Sequence, residues 1–310
     1  MDVLSDVLAV MRAGRPLARR AGCQAPWGMR FAAGDAATCH VVLQGACWLI
    51  PPHGTPLALG VGDVVLIPRG DAHALTDRPG GSPARHVPEQ DQDAPLGELR
   101  IPGPGATTIL LCASYRFDHA RPHPLLHDLP ELIHLPDRVG QHPSLRAAVE
   151  LLGSELRQPR AGTEAVLPAL VDLLLLYVLR AWLDEQSSRP APGWAAALHD
   201  PALITALRHI HRRPEHPWTV VELATQAGLS RASFAKRFTT VVGQPPLTYL
   251  TWWRMTTAAG LLRGSDASLR SVAERCGYGS EYAFAKAFKR EYGTAPGQYR
   301  RQERAGGTRR

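Results

Sequence analysis

His40 and His73 are the side chains near the N-terminus whose type and surroundings could bind a metal. Both lie in or beside β-favouring runs, so both can point into a β-domain. A catalytic metal site, however, needs about three protein ligands and an open position. We therefore expect no catalysis and no cofactor, and we interpret both histidines as hydrogen-bonded pocket or structural residues. The alternatives are a metal held with help from water or other side chains, and direct contact with a small effector.

The five cysteines include no C-x-x-C pair. A cysteine-rich zinc site is therefore not expected. The first residues lack the features of a signal peptide, and the longest apolar run, Leu173–Leu179, is far below the roughly 20 residues that span a bilayer. These observations predict a cytoplasmic protein with reduced thiols and no membrane partner.

Recognition of a polyanion is the second chemistry that the residues offer. Residues 200–310 contain 18 Lys and Arg against 8 Asp and Glu, whereas residues 1–199 contain 17 against 20. Such one-sided charge favours duplex DNA, whose phosphates supply most of the non-specific affinity. A membrane surface would also attract this charge, but that would require an amphipathic or lipid-bearing anchor.

A duplication within the basic segment indicates how DNA would be contacted. The motif Leu223-Ala-x3-Gly228 recurs 49 residues later as Val272-Ala-x3-Gly277, and Phe234-Ala-Lys-x-Phe238 and Gly243-x2-Pro246-x2-Tyr249 recur unchanged 50 residues later. Each copy predicts a helix, a tight turn and a second helix with one apolar face. The second helix of such a unit fits the major groove of B-DNA.

The residues between the copies predict a helix at Leu247–Leu262. It would be about 24 Å long at the usual rise per residue. A rigid helix of this length would set the two recognition helices roughly one DNA turn, about 34 Å, apart. A single chain could then read two successive major-groove segments.

This arrangement resembles the DNA-binding domain of AraC/XylS-type regulators. The resemblance is carried by Trp218–Leu250, Arg254-Met-x2-Ala258-x2-Leu261-Leu262 and Val272–Tyr299. It implies that outward positions of each second helix read bases, and since two of those in the first copy are alanines, neighbouring side chains are added. The base-reading candidates are Arg231, Ala232, Ser233, Ala235, Lys236, Glu281, Tyr282, Ala285 and Lys286, and the phosphate candidates are Arg237, Arg254, Lys289 and Arg290.

Residues 31–118 alternate short β-favouring runs with Pro and Gly turns, which predicts a sandwich or barrel. Gly62-x5-Pro68-x-Gly70-x2-His73 resembles the second cupin motif, and Gly34-x5-His40 resembles the start of the first. The first motif then fails, because Val42 replaces its second histidine and no glutamate follows. Together the two regions resemble AraC-type regulators with an N-terminal cupin sensor.

That resemblance also implies a hypothesis about thiols, because some such regulators respond to oxidants through cysteines. Cys23 and Cys112 are the positions that fit this role. Cys23 follows Arg19 and Arg20, and nearby cations favour the reactive thiolate. The alternative for Cys112 is burial as a small hydrophobic residue. Packing is also the interpretation of the remaining thiols, Cys39, Cys47 and Cys276.

Helical periodicity follows the β-region. Leu145, Val149, Leu152 and Leu156 recur on one helical face, and Glu164–Trp182 predicts a second, more apolar helix that pairs two subunits. Ser187–Gly193 is a linker candidate. The expected fold is α+β multidomain, with a cupin-like β-barrel sensor at 1–140, a helical linker and dimerisation segment at 141–198, and an all-α double helix-turn-helix domain at 199–304.

The functional prediction is a sequence-specific DNA-binding transcription regulator, with activation as the working sign. A small effector or oxidant sensed in the cupin-like domain would control it, with His40, His73, Cys23 and Cys112 as sensor candidates. Its expected partners are double-stranded promoter DNA, RNA polymerase, the unknown effector and a second copy of the chain. The competing hypotheses are a cupin enzyme with an added DNA-binding domain and a non-specific architectural DNA binder.

Overall fold

The computed structural model describes residues 2–12, 14–80, 85–86, 99–117, 123–187 and 193–308. These residues form two compact units that interleave along the chain. The barrel unit contains residues 14–80, 85–86, 99–117 and 129–185, and the helical unit contains residues 2–12, 123–128, 186–187 and 193–308. The boundaries of the expected segments 1–140, 141–198 and 199–304 do not coincide with those of the two units. The division of the chain into these three functional domains stays a prediction. Between its two end residues, the linker candidate lies outside the described residues.

The barrel unit is built from short strands separated by turns. These are β1 (Leu17–Gln24), β2 (Gly28–Phe31), β3 (Ala36–Gln44), β4 (Cys47–Ile50), β5 (Leu57–Leu59), β6 (Val64–Ile67), β7 (His73–Thr76), β8 (Arg85–His86), β9 (Leu99–Ile101), β10 (Thr107–Arg116) and β11 (Ile133–Leu135).

Two sheets enclose the core of the barrel unit. One has the order β11-β6-β3-β10-β1-β9 and the other β5-β4-β7-β2-β8. Their inward side chains pack into one apolar cluster that includes Cys23, Leu49, Leu75 and Leu110. The expected β-region began at Phe31 and missed β1 and β2. The arginines and glycine of β1 weaken its β pattern, although Ala18, Ala21 and Cys23 are buried.

The helices are α1 (Val3–Met11), α2 (Pro124–Asp128), α3 (Pro143–Arg157), α4 (Thr163–Ser187), α5 (Trp194–His199), α6 (Pro201–Arg212), α7 (Val220–Gln226), α8 (Arg231–Val242), α9 (Pro246–Gly264), α10 (Leu269–Arg275), α11 (Glu281–Tyr292) and α12 (Pro296–Thr308). Helix α1 precedes the strands, α2 lies between β10 and β11, and the remaining helices follow β11. Helix α3 and nearly all of α4 belong to the barrel unit, and the others belong to the helical unit. The predicted α+β multidomain class, with a cupin-like β-region and an all-α C-terminal region, is confirmed.

Helix α4 is longer than expected and packs along the barrel unit. The Tyr115 hydroxyl of β10 donates a hydrogen bond to the carbonyl of Val171 in α4 at 2.6 Å. Among the described residues, α4 is the one helix long and apolar enough to cross a membrane by length and composition, and half of its most apolar stretch is buried. The helix meets these criteria although its longest uninterrupted apolar run, Leu173–Leu179, is short. An apolar helix covered by its own protein meets the same criteria.

Candidate nucleic-acid interface and sensor core

The first helix-turn-helix copy consists of α7 and α8. Thr219 and Glu222 form a capping box at the start of α7, in which the Thr219 hydroxyl accepts from the Glu222 amide at 3.1 Å and the Glu222 carboxylate accepts from the Thr219 amide at 2.8 Å. Gly228 turns the chain with φ of +68°. The Ser230 hydroxyl then caps α8 by accepting from the Ser233 amide at 3.2 Å. These local hydrogen bonds fix where the recognition helix begins.

The two faces of α8 separate as the sequence predicts. Phe234 and Phe238 are fully buried, and Val242 completes the buried face. Four of the five outward candidates are exposed, whereas Ala235 is half-buried; the exposed four are Arg231, Ala232, Ser233 and Lys236. The exposed face therefore offers cationic and hydroxyl groups to a duplex.

The second copy repeats this geometry in α10 and α11. Gly277 turns the chain with φ of +76°, and the Ser280 hydroxyl accepts from the Ala283 amide at 3.1 Å. The buried side chains of α11 are Phe284, Ala287 and Phe288. On the outward face Glu281, Tyr282 and Lys286 are exposed and Ala285 is half-buried. Tyr282, which is 79% exposed, is the large apolar side chain that this face presents to solvent.

Two of the four side chains expected to contact phosphate bind other groups of the protein instead. The half-buried Arg254 guanidinium donates to the carbonyls of Pro214 and His216 at 2.6 and 2.8 Å, so it braces the fold. Its burial also lowers its pKa. Arg237 forms an ion pair with Asp200 at 2.6 Å. These partners could not be recognised from the repeat, because they come from residues outside it.

The other two phosphate candidates lie at the end of α11. Lys289 is exposed, and Arg290 is exposed beside Glu291, with 2.9 Å between the charged atoms. Helix α9 extends over Pro246–Gly264, slightly beyond the expected Leu247–Leu262, and both recognition units pack against it. The two exposed faces and the shared helix form the candidate DNA interface.

A hydrogen-bonded chain of three side chains lies inside the barrel unit. The Cys112 sulfur is 3.2 Å from His40 Nδ1, and His40 Nε2 is 2.8 Å from His73 Nε2. His73 Nδ1 lies 2.8 Å from the carbonyl of Asp71. Because that carbonyl only accepts, His73 Nδ1 carries the proton and its Nε2 accepts from His40 Nε2. His40 Nδ1 is then an acceptor, so the Cys112 thiol donates to it.

Burial sets the charge state of this chain. It lowers the pKa of His73 to about 4, and burial together with His73 lowers the pKa of His40 well below its ordinary value. Both imidazoles are therefore neutral at neutral pH. The ring of Phe31 stacks on His73, with centroids 4.6 Å apart. No group of three or more His, Cys, Asp or Glu side chains in the described part of the chain is arranged to hold a metal.

The structure corrects the reason given for a reactive thiol at Cys23. Cys23 is fully buried on the inward side of β1, and burial raises its pKa to about 11. Arg19 lies opposite Cys112 in the β1–β10 register, where it lowers the pKa of Cys112, although burial raises that pKa by more. The adjacent arginines therefore do not produce a thiolate at Cys23.

A second buried polar chain lies in the helical unit and was not anticipated. The Tyr249 hydroxyl lies 2.8 Å from His211 Nε2 and 3.2 Å from His123 Nε2. The Leu125 amide donates to His123 Nδ1 at 3.0 Å, so His123 donates to the tyrosine oxygen and Tyr249 donates to His211. His211 Nδ1 then faces the Asp6 carboxylate at 3.5 Å. The sequence signals were the isolated histidines, but their partners lie far away in sequence.

Comparison with known proteins agrees with this architecture. A cupin family model matches residues 2–184, and a helix-turn-helix domain model matches residues 223–302. The chain is 34% identical over 304 residues to an AraC-like transcription regulator of Streptomyces lividans, covering 97% of this chain and 98% of that one. The chain belongs to the AraC family of transcription regulators. It is thus a DNA-binding regulator with a cupin sensor domain, not an enzyme.

Two other AraC-family relatives match over nearly their full length. The regulator AlkR of Acinetobacter baylyi is 31% identical over 312 residues, covering 97% of this chain and 100% of that one. The Escherichia coli RCS-specific transcriptional activator RclR is 29% identical over 308 residues, covering 98% and 99%. The double helix-turn-helix predicted from the repeat is therefore the DNA-binding part of this family member.

Proposed function

We propose that this AraC-family regulator activates transcription when a strong two-electron oxidant reacts with Cys112 in the barrel unit. The proposal rests on the chain of hydrogen bonds that links the Cys112 thiol to His40 and His40 to His73. The name of the relative RclR, an RCS-specific activator, supports both the oxidant and the sign. The regulator would act in the cytoplasm on double-stranded promoter DNA and RNA polymerase.

The proposed reaction starts from a thiol whose proton already has an acceptor. With hydrogen peroxide, a sulfur–oxygen bond forms and the oxygen–oxygen bond breaks. The thiol proton moves to His40 Nδ1 and then to the leaving hydroxide, which departs as water. Sulfur is oxidised to sulfenic acid and peroxide is reduced. A later disulfide with Cys23 would require the strands to rearrange, because Cys23 pairs with Thr108 in the β1–β10 register, four residues from Cys112.

Burial decides which oxidants this site would detect. Because burial raises the pKa of Cys112, the thiolate is scarce at neutral pH. Mild oxidants that need a thiolate would react slowly, whereas hypochlorite should react faster. Selectivity for strong oxidants would therefore come from the apolar surroundings of the thiol.

Transcription in vitro with the purified chain tests this proposal. Reduced protein should support basal transcription, and hypochlorite should raise it more than an equal concentration of hydrogen peroxide. Cys112→Ser should abolish the response, and Cys23→Ser should weaken or abolish it. The matched control is Cys276→Ser, which removes a buried thiol from the helical unit and should leave the response intact. Unchanged induction in both barrel variants would exclude the oxidant-sensing hypothesis.

We propose further that α4 pairs two copies of the chain. Opposite its buried side, the helix carries a partly exposed apolar stripe that includes Val166, Leu173 and Leu176. Light scattering should give a dimeric mass for the full chain and a monomeric mass for Leu173→Glu. The control Glu164→Gln alters an exposed charge on the same helix. A monomeric wild type would contradict this pairing.

A further inference from the structure

A pocket at the C-terminal end of the first recognition helix has no part in the chemistry described so far. It lies within the helical unit, between α2, the last turn of α8 and α9, and has a volume of about 460 Å³. Pockets that hold small molecules typically measure roughly 300–1,000 Å³. Its apolar walls include Pro124, Val241, Val242 and Trp252. The pocket is therefore large enough for a compact organic molecule.

Two hydrogen-bond donors on side chains that line this pocket lack acceptors. The side-chain nitrogen of Gln244 and Nε1 of Trp252 are both shielded from solvent, and neither has a hydrogen-bond partner within the described part of the chain. The Trp252 residue as a whole is only 5% exposed. Most buried polar groups in proteins are hydrogen-bonded, and a buried donor without an acceptor is unfavourable. An acceptor oxygen brought into the pocket would therefore be stabilised at these two side chains.

The charges around the pocket favour a neutral ligand over an anion. Among the described residues that line it there is no lysine or arginine. The Asp128 carboxylate does line it, and accepts a hydrogen bond from the Trp194 amide at 2.6 Å. An anionic ligand would be repelled by this carboxylate. A neutral carbonyl group avoids the repulsion, and its oxygen still offers two lone pairs to hydrogen-bond donors.

The second helix-turn-helix copy indicates that the shared template does not require these two donors. Thr294 takes the place of Gln244 at the position 50 residues later, and Gln302 takes the place of Trp252. The second copy nevertheless forms the same pair of helices, α10 and α11. An amide and an indole at this turn are therefore particular to the first copy, and a ligand in the adjacent pocket would account for both.

We propose that this pocket binds a small neutral carbonyl compound, whose oxygen accepts hydrogen bonds from Gln244 and Trp252. The apolar body of the ligand would lie against Pro124 and Val241. Because the last turn of α8 forms one wall, the ligand would stabilise the end of the first recognition helix. The DNA-binding part of the chain would thus have a small-molecule input of its own, which does not depend on oxidant sensing at Cys112.

NMR titration of the full reduced chain, labelled with ¹⁵N, tests the proposal with 4-phenyl-2-butanone as the ligand. Butylbenzene is the probe of similar shape that lacks an acceptor. The indole N–H signal of Trp252, assigned from Trp252→Phe, should move downfield with the ketone, because a hydrogen bond to an acceptor deshields the proton. The ketone should bind about tenfold more tightly than butylbenzene. Hydrogen exchange should slow in the last turn of α8 and stay unchanged in α11.

Two variants with matched controls locate the ligand. Gln244→Leu and Trp252→Phe should each weaken ketone binding about three- to tenfold, because each removes one donor and keeps most of the side-chain volume. Gln302→Leu makes the same change as the first variant at an exposed position of the second copy. Trp253→Phe alters a buried tryptophan that does not line the pocket. Both controls should leave ketone binding unchanged.

Each alternative result would overturn the pocket assignment. Equal affinities for the ketone and butylbenzene would remove the role of the two donors, and no binding of either compound would remove the site. Ketone binding that persists unchanged in both Gln244→Leu and Trp252→Phe would place the ligand elsewhere. The same titration on Cys112→Ser should match the wild type, which separates this proposal from the oxidant-sensing one.

Discussion

The two helix-turn-helix copies share one template but differ in what surrounds their cores. In the first copy, Tyr249 is fully buried between His123 and His211. In the second copy the corresponding residue, Tyr299, accepts a hydrogen bond from Arg263 at 2.6 Å. The core around the second copy consists of residues 255–299 and their partly buried neighbours. The first copy therefore depends on distant segments, whereas the second is built from local ones.

This difference indicates which copy can receive a signal. Helix α1 and residues 123–128 pack in the helical unit around the first copy, and in sequence they flank the strands β1–β10 of the barrel unit. These two segments therefore connect the strands to the surroundings of the first copy along the chain. We therefore expect oxidation to alter the first copy before the second.

The largest expected effect comes from removing a buried aromatic ring from the core of either helix-turn-helix copy. Phe234→Ala and Phe284→Ala should each lower the free energy of unfolding by about 3–5 kcal/mol, because both rings are fully buried. Hydrogen exchange should show lost protection in α7 and α8 for the first variant and in α10 to α12 for the second. Equal loss in both copies from either variant would show that the cores are not separate.

Removal of the tyrosine hydroxyl should change the free energy of unfolding by different amounts in the two copies. Tyr249→Phe leaves the His123 donor and the His211 acceptor without their shared partner, so we expect a loss of about 2–3 kcal/mol. Tyr299→Phe should cost about 1 kcal/mol or less, since water can replace the hydroxyl beside the half-buried Arg263. Denaturant unfolding followed by exchange in α8 and α11 measures both. Equal costs would contradict the asymmetry described above.

The duplicated motifs made the two helix-turn-helix copies predictable. Gly228, Gly277 and the capping serines are local signals, and each determines a turn or a helix start within a few residues. The long-range contacts were not predictable, because neither the Arg237–Asp200 pair nor the bracing of the fold by Arg254 leaves a local pattern. Sequence spacing predicts where a side chain lies on its own helix, but it does not predict which group from a distant segment that side chain binds.

In the barrel unit the sequence identified His40 and His73 as candidates but did not predict their contact with each other. Strands β3 and β7 lie in different sheets, and the contact between these histidines forms only when the sheets pack face to face. The thiol argument failed for the same reason. The neighbours of Cys23 in sequence are arginines, whereas its neighbours in space are apolar.

Base reading should weaken comparably when either exposed lysine is removed. Lys236→Ala and Lys286→Ala should each reduce affinity for the cognate promoter by about 1–3 kcal/mol. Titrations against promoter and random duplexes at fixed salt measure this effect. Arg254→Gln should act mainly on stability instead. A loss below this range in both lysine variants would count against the assigned outward faces.

Acidification should loosen the first copy and spare the second. Burial lowers the pKa of His123 and His211 below the ordinary 6.5, so the unfolded chain binds more protons than the folded one. Stability of the first copy should therefore fall as the pH drops below about 6.5. Residues 265–308 contain no histidine, so the second copy lacks this response. Exchange at pH 7 and pH 5 should show a greater loss in α8 than in α11, and parallel losses would contradict this.

The smallest expected difference concerns the start of each recognition helix. Ser230→Ala and Ser280→Ala should each cost about 1 kcal/mol, because each removes the acceptor for an amide in the first helical turn. Ser230 also donates to the Ser233 hydroxyl at 2.9 Å, and the corresponding position in the second copy is Ala283. Ser230→Ala should therefore free Ser233 and change promoter selectivity as well as stability, whereas Ser280→Ala should change stability alone. Binding to promoter variants, compared with unfolding of the same two proteins, separates these effects. If both variants show the same promoter selectivity, Ser233 contributes to the helix cap and does not contact DNA.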